Sequence, residues 1–247
     1  MAVNSTGERI ENIDQLKAVT FDVFGTVGDW RSSIAREMNL LGDEKGFSID
    51  GAEFASAWRS LYQPSMSKVR SGEVPFEPLD ALHRKNLDTV LEQYNIDQLS
   101  GPEKAYLNRV WHRLDPWPDV IEGLVRLKER YIIGTLSNGN ISLIVNMAKH
   151  SGLPWDVVLG AEVAGHYKPC PEAYLGSAKT LDLAPHECML VAAHNADLQA
   201  ASGCGFRTAF VARPIEYGPG QTTDLSADHD FDVIATDFVE LAGQLQA

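Results

Sequence analysis

Short apolar runs alternating with helical stretches constrain this chain most. Tyr131-Ile-Ile-Gly-Thr-Leu136, Cys188–Ala193, Arg207–Ala212 and Asp232–Ala235 read as buried strands, with a further strand near Asp156–Leu159. Between them lie stretches with helical spacing: 119–130, then 140–151 closed by Gly152 at C′, a helix after Pro169, and Asn195 to Ser202. Near the start, Lys17-Ala-Val-Thr-Phe-Asp22 is another apolar run, ending in a carboxylate and followed by Gly25. Strands alternating with helices imply an α/β fold with a parallel, doubly wound, Rossmann-like sheet. Such sheets bind ligands beyond the carboxyl ends of their strands.

From about Arg31 to Arg113 the pattern changes, and apolar residues recur only at helical spacing. Four helices are expected, at roughly 31–46, 51–70, 77–95 and 101–113. The breaks between them fall at Gly51, at Gly72 with Pro75, and at Gly101 with Pro102. Asp115-Pro-Trp-Pro118 closes the segment. The expected organisation is a core made of 1–30 and 116–247, with a four-helix unit of 31–115 inserted into it.

A chain of 247 residues, 44% of them apolar, can bury a substantial core. Its formal net charge of −13 disfavours nucleic acid and anionic lipid as partners, but a pocket needs only local positive charge to take a small anion. Cys170, Cys188 and Cys204 form no CxxC pair, which fits a reducing compartment and offers no zinc motif. Residues 1–16 are polar, unlike a signal peptide, and no apolar stretch approaches a membrane span. A cytoplasmic location is expected.

Polar residues gather at the predicted strand ends: Asp22, Ser137 with Asn138, and His194 through Asp197, with Lys168 in a fourth loop. Singly, each has a structural explanation, since Asp and Ser cap helices and a lysine before proline is normally a solvated charge. Together they place an acid, a hydroxyl-amide pair, a lysine and a second acid at one sheet edge. Such convergence is the default active-site hypothesis for this architecture.

Phe21-Asp-Val-Phe-Gly-Thr26, Leu136-Ser137-Asn138, Lys168-Pro169 and Val191-Ala-Ala-His-Asn-Ala-Asp197 resemble, in order, the four motifs of the haloacid dehalogenase superfamily. The helical segment after the first motif is similar to that superfamily's cap domain. The resemblance implies a Rossmann-like core with an inserted helical cap. Most members are magnesium phosphatases, which need a second acid two residues after the nucleophile and further carboxylates in the fourth motif, because Mg²⁺ takes several oxygen ligands. Here Phe24 and Ala193 stand in those places. The pattern is closer to the type II L-2-haloacid dehalogenases, which use neither metal nor cofactor. Halide leaves without a proton, so an ionised, aimed carboxylate suffices as nucleophile. A magnesium-dependent small-molecule phosphatase is the alternative.

The dehalogenase resemblance implies residue roles. Asp22 attacks C2 of a small 2-haloacid, Lys168 keeps it ionised, Thr26 orients it, and Tyr174 fixes the lysine or the nucleophile. Asp197 positions the water that hydrolyses the aspartyl ester. Ser137, with Phe24, binds the substrate carboxylate. Arg59, in a Trp58-Arg59 step of the helical segment, faces the halide, together with Asn138, or the substrate carboxylate, and Phe76 contributes an apolar wall. Dimerisation would fit the family, although no interface signal is visible in the sequence. The chain departs from the family pattern at Ala192, His194 and Ala196, where serine, asparagine and tryptophan are usual. The working hypothesis for His194 is an imidazole N–H that tightens the halide site and favours small halides, fluoride included; fluoride release from fluoroacetate unchanged in His194→Ala would exclude it.

Overall fold

The computed structural model describes residues 13–247. The first twelve residues, which the sequence reading assigns to the core and to a polar N-terminus, lie outside the described residues.

The chain enters through strand β1 (Ala18–Phe21) and a short strand β2 (Gly28–Asp29). It then becomes wholly helical: α1 (Trp30–Lys45), α2 (Gly51–Ser60), α3 (Tyr62–Arg70), α4 (Leu79–Gln93), α5 (Gly101–Asn108) and a 3₁₀ turn over Arg109–Arg113. Strand β3 (Asp115–Pro116) returns antiparallel to β2, pairing Gly28 with Pro116, so the two ends of the helical segment are hydrogen-bonded to each other. The remainder alternates: α6 (Val120–Lys128), β4 (Ile132–Thr135), α7 (Ile141–Ser151), α8 (Pro171–Thr180), β5 (Cys188–Ala192), α9 (Asn195–Gly203), β6 (Arg207–Val211), β7 (Val233–Ala235) and α10 (Phe238–Gln244).

The main sheet is parallel throughout, in the order β4-β1-β5-β6-β7. Alternation of side chains along each strand fills both faces. Val19, Phe21 and Val191 join the cluster that contains Phe238 and Leu124, whereas Ala18, Leu190 and Ala192 pack with Tyr174 and Leu198. The direction of winding reverses between β1 and β5, the switch point where doubly wound sheets hold their ligands.

Several elements differ from the sequence reading: β2 and β3 were not expected, and the last part of the expected helix 101–113 is the 3₁₀ turn over Arg109–Arg113. The expected helix 51–70 is two helices that break at Leu61. Pro64 is the cause: it has no N–H to return to the Ser60 carbonyl and its ring crowds that carbonyl, but it is tolerated in the first turn of a new helix. The strand expected near 156–159 is reduced to one bridge between Gly134 and Val157. Side chains intercept the ladder there, since Ile133 N–H donates to Asp156 Oδ2 and Thr135 Oγ1 bonds both the N–H and the carbonyl of Leu159. Helix α10 was not expected, although its N-cap is plain: the Asp237 carboxylate accepts the Glu240 N–H at 2.7 Å.

Candidate active site

Strands β1, β4 and β5 end side by side and deliver Asp22, Ser137 with Asn138, and His194 to one edge. Asp22 is only 7% exposed. Its Oδ1 accepts from Lys168 Nζ at 2.9 Å. Its Oδ2 accepts from Thr26 Oγ1 at 2.9 Å and from His194 Nδ1 at 3.1 Å. Burial by itself would raise the Asp22 pKa, but the Lys168 charge and the His194 hydrogen bond override it and hold the carboxyl well below the usual carboxylate range.

Lys168 is equally buried and bridges two acids, donating also to Asp197 Oδ2. Burial opposes its charge, yet Asp197 and Asp22 raise its pKa above the ordinary lysine value, so the ammonium persists. Its backbone N–H donates to Asn138 Oδ1 at 2.7 Å, and its carbonyl accepts from Arg70 of α3 at 3.2 Å. Because Asn138 Oδ1 is engaged, the amide NH₂ is the end left to donate. Tyr174, on α8, gives its hydroxyl to Asp197 Oδ1 at 2.6 Å; burial, then the Asp197 charge, pushes that phenol far up, so it remains a donor.

His194 lies between two carboxylates. Its second nitrogen, Nε2, meets Glu216 Oε2 at 2.9 Å, and the other Glu216 oxygen accepts from Trp30 Nε1 at 2.9 Å. Ionised carboxylates only accept, so both ring nitrogens donate and the ring is an imidazolium. Burial lowers the His194 pKa, but the Glu216 charge and the hydrogen bonds to Asp22 and Glu216 raise it well above its ordinary value. Neither N–H is left for a halide, contrary to the hypothesis drawn from the sequence. Glu216, 1% exposed, was not singled out by the sequence reading. It sits in the loop after β6, anchored where Arg213 pairs with Asp119 through two bonds of 2.8 Å and donates to the Thr26 carbonyl. Gly25 makes room for it: with φ at +92°, an added Cβ would lie 2.1 Å from Glu216 Oε1.

A cleft of about 420 Å³ opens over these groups. Asp22, Phe24, Asn138, Lys168, His194 and Asp197 line it from the sheet side. Arg59, Tyr62 and Arg70 line it from the helical segment, and Tyr217 from the Glu216 loop. The Arg59 guanidinium stacks 4.0 Å from the Tyr62 ring centre, and its buried Nη1 has no hydrogen-bond partner. Phe24 is enclosed edge-on by Tyr62, His83 and Trp111. Thr26 and Tyr174 lie behind the wall. Ser137 is off the wall as well: it is 4% exposed, and its hydroxyl oxygen accepts the Gly139 N–H. Phe76 packs on Tyr167, 5.3 Å between ring centres, rather than on the cleft.

The sequence model of the haloacid dehalogenase-like hydrolases matches residues 16–205. The chain belongs to that family. Among curated haloacid dehalogenase-like relatives, the (S)-2-haloacid dehalogenase 4A of Burkholderia cepacia is 31% identical over 83% of this chain and 88% of its own length. A crystal structure of the defluorinating L-2-haloacid dehalogenase Rha0230 superposes with a TM-score of 0.93 at 47% identity, covering 100% of this chain and 99% of the other. The L-2-haloacid dehalogenase PA0810 superposes with a TM-score of 0.91 at 46% identity, covering 94% and 99%.

The magnesium that serves the superfamily's phosphatases does not suit this site. An ammonium already occupies the space between the Asp22 and Asp197 carboxylates, an imidazolium lies against Asp22, and both Asp197 oxygens hold donors. Phe24 and Ala193 supply no oxygen ligand in the two acid positions. Among the described residues, metal-ligating side chains converge only at His166, Cys170 and Glu172, which lie outside the cleft.

Proposed function

We propose that this haloacid dehalogenase-like hydrolase converts short-chain 2-haloalkanoic acids to 2-hydroxy acids without a metal, through an ester on Asp22. The observation that carries the reading is the Lys168 ammonium bridging the buried Asp22 carboxylate and the partly buried Asp197 carboxylate. It keeps Asp22 anionic with a monovalent charge fixed to the chain. A carboxylate so held can displace halide from tetrahedral carbon, whereas Phe24 and Ala193 leave out the oxygen ligands of the divalent cation that would bring a phosphate dianion close. The unpaired Arg59 nitrogen gives the substrate's charge, or the departing halide, a buried partner. The helical segment covers the site as a cap and excludes water while the bond is exchanged.

In the first step Asp22 attacks C2 in line with the carbon–halogen bond and the halide departs beside Arg59 and Asn138. Phe24 supplies an apolar wall, and the substrate carboxylate rests in the cleft beside Asn138, since Ser137 lies off the wall. In the second step a water held by Asp197 attacks Cγ of the ester, and Tyr174 fixes Asp197 for that task. The names of the relatives extend the reading to the (S) substrates, and the defluorinating neighbour extends it to fluorinated 2-haloacids, of which fluoroacetate is the simplest to assay. Homodimerisation and a cytoplasmic location complete the proposal; light scattering and cell fractionation measure them.

Halide release from chloroacetate, fluoroacetate and 2-chloropropionate in the presence of EDTA tests it. The expected outcome is turnover unaffected by the chelator. Hydrolysis of p-nitrophenyl phosphate that strictly requires Mg²⁺, with no halide release, would restore the phosphatase reading.

A further inference from the structure

Asp22 presents two unequal oxygens. Each carboxylate oxygen accepts about two hydrogen bonds. Oδ2 already holds two, from Thr26 and His194, whereas Oδ1 holds one, from Lys168. The free lone pair is on Oδ1, so the ester forms there and Oδ2 becomes the ester carbonyl oxygen. Its two donors are then in place before the second step begins. The Ala193 N–H donates to Thr26 Oγ1 at 2.9 Å, which orients the threonine proton toward Oδ2. Glu216, held by Trp30, orients the imidazole.

We propose that Thr26 and His194 form the oxyanion hole for hydrolysis of the Asp22 ester, and that Glu216 is the positioning residue that keeps the His194 ring aimed and charged. This rests on the ester chemistry proposed above and assigns its second half.

Water attacks Cγ and its proton passes to Asp197. The C=O π pair moves onto Oδ2, where the Thr26 hydroxyl and the imidazolium Nδ1–H meet the new negative charge at distances already built. The pair then returns, the Cγ–Oδ1 bond breaks, and Oδ1 leaves with the 2-hydroxy acid, taking a proton from Lys168. Asp197 returns its proton to Lys168 across their existing hydrogen bond. The other water hydrogen remains on the regenerated Asp22 carboxyl and ionises. The first step needs none of this, because no charge develops on Oδ2 while a halide is displaced.

The test separates the half-reactions. Glu216→Gln preserves shape: Trp30 still finds an oxygen, and the new amide donates to His194 Nε2, which becomes neutral. His194→Ala removes the donor, and His194→Asn returns an uncharged one. Rapid mixing with chloroacetate, read by chloride release and by intact-protein mass, gives both rates, and a melting curve confirms each fold. Wild type is expected to turn over with little adduct. His194→Ala should release one chloride per chain at a rate within a few-fold of wild type and then stall as the carboxymethyl ester. Its hydrolysis should be slower by ~10²–10³-fold, the usual consequence of losing one oxyanion donor. Glu216→Gln should stall similarly but less, and His194→Asn should recover part of the loss. Variants that lose burst and turnover together with no adduct, or that hydrolyse the ester at the wild-type rate, would overturn the assignment. Absence of chloride release from the wild type would instead defeat the dehalogenase reading.

Discussion

Replacing Lys168 by methionine keeps the apolar stem and removes the ammonium, leaving Asp22 and Asp197 facing each other in a site where both side chains are nearly buried. At 2.9 Å and an effective dielectric constant near 20, the Lys168–Asp22 attraction is about 6 kcal/mol. Desolvation offsets part of it, and breaking such a buried pair costs about 3–5 kcal/mol. In wild type the Asp22 pKa lies well below its ordinary value, so the carboxylate proposed as nucleophile is ionised across the working range. In the variant, burial and the facing Asp197 carboxylate push that pKa up, opposed by His194 and the Thr26 hydrogen bond, so the acid limb of the activity profile moves toward neutral pH. At ~1.4 kcal/mol per tenfold, neutral turnover should fall by two to four powers of ten and recover in part as the solution is made alkaline. Chloride release from chloroacetate, measured from acid to alkaline pH for both proteins, reads the effect. A variant within tenfold of wild type at neutral pH, with an unshifted acid limb, would refute the reasoning.

Arg59→Ala removes a buried guanidinium whose Nη1 has no hydrogen-bond partner and should lower kcat/KM by ~10–100-fold, the worth of a charged hydrogen bond of about 1.5–3 kcal/mol, with halide inhibition weakened in parallel in steady-state assays. Gly25→Ala combines a positive φ with a Cβ inside the Glu216 carboxylate, so chemical denaturation should show a loss of at least about 1–3 kcal/mol together with reduced ester hydrolysis. Tyr174→Phe frees Asp197 Oδ1 and should slow ester hydrolysis about tenfold or more while halide release in the first turnover is spared, as rapid-quench measurements would show.

Local signals carried much of this fold. The run Lys17–Asp22 and its partners near 132, 188, 207 and 233 are visible because parallel strands buried on both faces are continuously apolar. The acids and amides at their ends are visible because strand ends in such sheets converge. The break at Leu61 carried a signal too, since Pro64 cannot continue a helix, but the apolar spacing on either side masked it. The run 156–159 looked like a strand because periodicity cannot show that Asp156 and Thr135 side chains would replace some of the ladder bonds and leave only a few between backbones. In the site, Asp22, Lys168, Asp197, Thr26 and Tyr174 form one hydrogen-bonded group. Glu216 carried no local mark. Its role comes from His194 and Trp30, 22 and 186 residues away, and from the absent side chain of Gly25. Contacts over such separations exist only once the chain has folded.

The central claim is that an oxygen of Asp22, and not of water, bonds first to the substrate carbon. A single turnover in H₂¹⁸O, with enzyme in excess over chloroacetate, tests it by mass spectrometry of the product and of the peptide containing Asp22. Unlabelled glycolate and one ¹⁸O on Asp22 are the predicted result. Labelled glycolate from an unlabelled aspartate would mean direct attack by water and would contradict the account.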